Sequence, residues 1–181
     1  MTTNSHQRTP SSSRHNRTAL LTDLVNVLNS PGIYAERVTH LTYDSGINLF
    51  VNGYTVLVKT PTTERSNICV ELLRETANGN WEMSWALTNK CLFFLWLLPE
   101  GKHLWVERES LIKYLEHERN LLVLTNHNTS TRNRLREANL PSNVITTWIP
   151  IENVIDNCTA LRYDVDNYDS EALSEWLTLS L

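Results

Sequence analysis

Glycine is scarce in this chain: five residues in 181, which leaves no material for a Gly-rich phosphate-binding loop. Cysteine is scarcer still. Cys69, Cys91 and Cys158 are odd in number, widely spaced and without a CxxC pair, so neither a disulfide framework nor a zinc site is indicated. The six histidines show no metal-ligand spacing and no HExxH, and no Ser-His-Asp arrangement is visible. No apolar run is long enough to span a bilayer; the longest, residues 91–98, is eight residues. The first residues lack the apolar core of a signal peptide, and an intracellular, cytoplasmic setting with reduced thiols is the expectation. Acids are missing from residues 1–17, a stretch rich in Ser, Thr, Asn, His and Arg that reads as a disordered basic tail.

What remains describes an ordinary globular chain. Hydrophobic residues make up 41% and charged residues 20%, enough for one domain with a substantial core over residues 18–181. The net charge of -4 provides no global attraction to nucleic acid, so DNA would have to meet a local basic patch. From residue 152 onward the chain is acidic, with seven acids against one base, Arg162. That segment reads as a solvated acidic extension.

The strongest local signal is Asn52-Gly53, which predicts a two-residue turn closing a β-hairpin. In that register Val51 faces Tyr54, Leu49 faces Val56 and Asn48 faces Leu57. Alternation then assigns Ile47, Leu49, Val51, Tyr54, Val56 and Val58 to one, core-facing side. The other side collects Asn48, Phe50, Thr55, Leu57 and Lys59. Around the hairpin, the pattern predicts a helix over residues 18–29 and strands over 34–38, 67–75 and 91–98. Trp81, Met83 and Trp85 alternate as a strand, and strand 103–107 leads into a helix over 108–119. Short strands follow at 121–125 and 144–149, with a polar loop over 126–133 between them. A helical turn near 152–155 and a docking helix bearing Leu173, Trp176 and Leu177 close the chain. The mixture argues for an α/β (α+β) domain built on a mixed β-sheet flanked by helices.

The succession Gly46-Ile47-Asn48-Leu49, Leu57-Val58-Lys59-Thr60, Val70-Glu71-Leu72, Gly79-Asn80-Trp81 and Pro150-Ile151-Glu152-Asn153-Val154 resembles the PD-(D/E)xK, or restriction-endonuclease-like, nuclease superfamily, in its small phage or mobile-element form. The resemblance spans about residues 18–155. It implies a first-strand Asp and a second-strand Asp/Glu holding Mg²⁺, with a lysine two residues on that orients the attacking water. Here those acids align with Asn48 and Leu57, and only Lys59 is kept. A hard cation needs anionic oxygens, which a neutral amide and a leucine do not supply.

The resemblance therefore implies a degenerate catalytic set of Lys59, Glu71 and Asn48, with Asp44 and Glu71 as metal ligands only in an active enzyme. Asp44 lies roughly 13 Å from Asn48 along an extended strand, so it reaches the site only through a sharp turn. The leading expectation is a pseudo-nuclease that binds DNA or a partner protein, with Lys59, Arg65, Arg74 and Lys90 as phosphate contacts and no cofactor. Two alternatives stand beside it. One is a divergent Mg²⁺-dependent endonuclease or Holliday junction resolvase; the other is an interaction module that inhibits a host nuclease. Simpler roles exist for the same residues. Lys59 reads equally as a strand-end charge, Asn48 as a loop hydrogen-bonder, and Glu71 as an ion-pair partner of Arg74 or Lys59. The tryptophans, Trp81 and Trp85 included, read as core first and base-stacking surfaces second.

Overall fold

Asn52 and Gly53 adopt positive φ, 48° and 83°, the left-handed pair that a two-residue hairpin turn requires. This hairpin opens the larger of two sheets in a computed structural model that describes residues 12–38, 47–59, 66–76, 78–119, 122, 124–127, 143–167 and 169–180. Its strands are β2 (Leu49–Val51) and β3 (Tyr54–Lys59), paired as Val51 with Tyr54 and Leu49 with Val56. Helix α1 (Ser12–Leu28) comes first, then β1 (Ala35–Arg37). After the hairpin run β4 (Asn67–Glu75), β5 (Trp81–Met83), the four-residue α2 (Trp85–Thr88), β6 (Phe93–Leu97) and β7 (Lys102–Glu107). Then come α3 (Arg108–His117), β8 (Leu124–His127), β9 (Val144–Pro150), α4 (Ile151–Asn157), β10 (Ala160–Asp164) and α5 (Ser170–Leu179).

The strands form a six-stranded mixed sheet, ordered β1-β2-β3-β6-β7-β10, and a four-stranded sheet, ordered β5-β4-β9-β8. Among the described strands, β3 and β6 pair in parallel and the other ladders are antiparallel. The fold is thus α+β. Every residue of β6 is buried because helices cover one face of the six-stranded sheet and the second sheet covers the other. On one side, Leu21, Leu24 and Leu28 of α1 and Leu173 and Leu177 of α5 pack on Leu49, Val51, Val56, Val58, Phe93 and Leu95. On the other, Leu57, Phe94, Trp96 and Leu104 meet Ile68, Val70 and Ile149, with Leu111 and Leu115 of α3 and Val154 of α4.

Several expectations are refined. Helix α1 starts at Ser12, inside the stretch read as a tail, where serines suit a helix start; residues 1–11 lie outside the described residues. Trp85 opens α2 instead of continuing β5. Strand β8 sits three residues beyond its expected start and takes in Asn126 and His127, which the polar loop was to hold. The acidic segment from 152 is part of the domain: β10, unforeseen, pairs with β7, and the side chains of Leu173 and Leu177 are fully buried. Among the described residues, no helix is long and apolar enough to cross a membrane.

Candidate functional site

The hairpin register breaks at Asn48. Its backbone N–H donates to the Val56 carbonyl at 2.9 Å, although Val56 already faces Leu49. Its side-chain Oδ1 accepts the Val58 amide, also at 2.9 Å, standing in for a backbone carbonyl. That slip of one residue carries Ile47 to the opposite face, so it packs with Leu57 and not, as the alternation predicts, with Leu49. Asn48 is therefore a sheet-building residue.

Leu57, where the resemblance expects the second acid, is 3% exposed in the core between the two sheets. Lys59 shares that face of β3. Its ammonium lies over the Trp85 ring, 3.1 Å from the centroid. Trp85 is braced edge-on against Phe94, with ring centroids 5.4 Å apart, and stands tilted to Trp96 at 6.4 Å. A lysine held on an indole in a half-buried setting is a cation–π contact worth about 1 kcal/mol or more.

Glu71 lies on β4, in the second sheet, and not on a strand neighbouring β3. Ile68 and Val70 enter the inter-sheet core, so strand alternation places Cys69 and Glu71 on the other face of β4. The Glu71 carboxylate accepts a hydrogen bond from the Ser84 hydroxyl. Ser84 is fully buried, and its amide donates to the Leu72 carbonyl at 2.8 Å. Lys59 and Glu71 thus reach successive residues, Trp85 and Ser84, from different sheets. Neither Arg74 nor Lys59 is seen pairing with Glu71. Arg74 faces Glu82 across the β4–β5 ladder and pairs with it at 2.7 Å, with both side chains close to half exposed.

Lys90 is exposed between α2 and β6. Asp44 and Arg65 lie outside the described residues. No group of three or more His, Cys, Asp or Glu placed to hold a metal ion occurs among the described residues.

Sequence reasoning missed the surroundings of Cys91. Burial pushes this thiol up to about 12, against the opposing pull of Arg108 and Lys59. An open cleft lies beside it, lined by residues such as Lys90, Arg108 and Glu109. The only sequence signal was a lysine directly before the apolar strand. Comparison with protein-family models, with curated proteins and with solved structures found no match for this chain.

Proposed function

We propose that this chain is a catalytically degenerate nuclease-fold protein that binds DNA or a partner protein without cutting. The observation that supports it best is Leu57: the position aligned with the second metal-binding acid is closed inside an apolar core. An ionised carboxylate there is costly without a metal or a partner. Asn48, aligned with the first acid, spends its Oδ1 on the Val58 amide.

The test is incubation of single-stranded, duplex and branched DNA with the full chain and Mg²⁺ or Mn²⁺, with retardation assays run in parallel. The reading expects binding without cleavage. If DNA is the ligand, affinity should fall as salt rises, because bound Lys and Arg displace condensed counterions. Absence of DNA affinity at low salt removes the DNA-binding form of this reading.

A second reading, a divergent Mg²⁺-dependent endonuclease, starts from Lys59 and Glu71 reaching the successive residues Trp85 and Ser84 at the start of α2, although the two lie in different sheets. It expects cleavage that both Lys59→Ala and Glu71→Ala abolish. Cleavage of that kind overturns the first reading.

A further inference from the structure

Between the C-terminal end of α2 and the first turn of α3 opens a cleft of about 550 Å³. One wall is made by residues 88–92, which carry the chain from α2 into β6, and the other by residues 107–109. Its volume falls within the ~300–1,000 Å³ typical of small-molecule sites.

The charges in this cleft are unevenly placed. Lys90 is exposed at the rim. Arg108 is half-buried, and its Nη2 donates to the Leu87 carbonyl at 3.0 Å, which anchors the guanidinium in the wall. The carboxylate of Glu107 is committed elsewhere: it accepts the amides of Glu109 and Ser110 at 2.9 and 2.6 Å, capping α3. Among the described residues that line the cleft, which include Ser180, Glu109 is the one exposed carboxylate. At the floor, the charged groups acting on the Cys91 thiol are both cationic, Arg108 and Lys59. Leu92, 39% exposed, adds an apolar surface beside these cations.

We infer that this cleft binds a phosphate ester of about mononucleotide size, its phosphate held by Lys90 and Arg108 and its apolar part against Leu92. The site is separate from the contact between Lys59 and Trp85, and it stands whether or not the chain binds DNA. Two sources supply the same chemistry: a free nucleoside monophosphate, or the terminal phosphate of a nucleic-acid strand.

The experiment is calorimetric titration of the full chain with AMP, with adenosine, and with a short oligonucleotide carrying or lacking a 5′-phosphate. At least one phosphorylated probe should bind more tightly than its phosphate-free counterpart, and which one does so identifies the source. Lys90→Glu should weaken that binding by roughly tenfold or more, the loss of one charge-assisted contact. Glu109→Gln should tighten it by removing repulsion at the mouth. Equal behaviour of phosphorylated and phosphate-free probes overturns the inference, as does binding that neither substitution alters. Lys90 and Glu109 are exposed, so both variants keep the core intact.

Discussion

Asn48 accepts the Val58 amide on its Oδ1 inside the sheet. Asn48→Ala orphans that amide and should cost about 1–3 kcal/mol in urea unfolding. Asn48→Asp keeps an acceptor and should cost clearly less; equal losses in the two variants would remove the hydrogen-bonding role. Asn52 has a comparable double duty. It adopts the turn conformation while its side chain accepts the Tyr34 amide at 2.8 Å and donates to the Gly32 carbonyl at 3.0 Å, tying the hairpin to the loop after α1.

His103 shows how a single buried group sets a pH dependence. It is almost fully buried, its Nδ1 has no hydrogen-bond partner, and burial lowers its pKa to about 4. The unfolded chain holds that proton up to about pH 6.5, so between about 4 and 6.5 unfolding takes up a proton. Stability should be at its full value above pH 6.5 and decline as pH falls through 4, by on the order of 3 kcal/mol from this residue. His103→Phe should flatten that decline in acid-unfolding curves; an unchanged slope would place the pH dependence on other groups.

At the scale of elements, the hairpin and β4 were legible because their signals are local. Asn-Gly selects the turn, and Asn67–Glu75 is observed with the limits that its composition suggested. Less legible were Trp85 and β10. The alternation of Trp81, Met83 and Trp85 favours a strand, yet Trp85 turns into α2 because its ring packs against Phe94 and Trp96 of the other sheet. β10 has little apolar periodicity of its own. It is held by the ladder to β7 and by the hydrogen bond from Trp105 Nε1 to the Tyr163 hydroxyl at 3.1 Å. Helix α5 combines both kinds of cause. Asp169 caps it by accepting the amides of Glu171 and Ala172, each at 3.0 Å, and Leu173 and Leu177 anchor it. Asp169→Ala should cost about 1 kcal/mol and Leu177→Ala about 2–5 kcal/mol, both read from denaturant midpoints. A smaller loss from Leu177→Ala would mean that α5 is loosely docked.

At the scale of the whole molecule, the central strands of the six-stranded sheet are covered on both faces, and that determines what the candidate site can become. Introducing two acids by Asn48→Asp with Leu57→Glu asks whether the scaffold of the proposed pseudo-nuclease can support metal chemistry. The fold sets opposite costs on its two halves. Leu57→Glu introduces a charge into the inter-sheet core and should destabilise by on the order of 3 kcal/mol or more. A Leu57→Glu variant of native stability would show that this region opens to water or supplies a partner, and would revive the metal-site alternative.

The amino-acid order alone was sufficient for the α+β class and for the hairpin and its turn. These follow from short-range propensities and from the two-residue period of strands, which act without knowledge of distant partners. The division of ten strands into two sheets was settled by tertiary structure, and with it the separation of Glu71 from Lys59. Lys59 against Trp85 and Glu71 against Ser84 join strands of different sheets to the start of α2, and Lys90 and Arg108 line one cleft from two segments. Such contacts depend on which faces find apolar cover, a property of the packed molecule that no local pattern encodes.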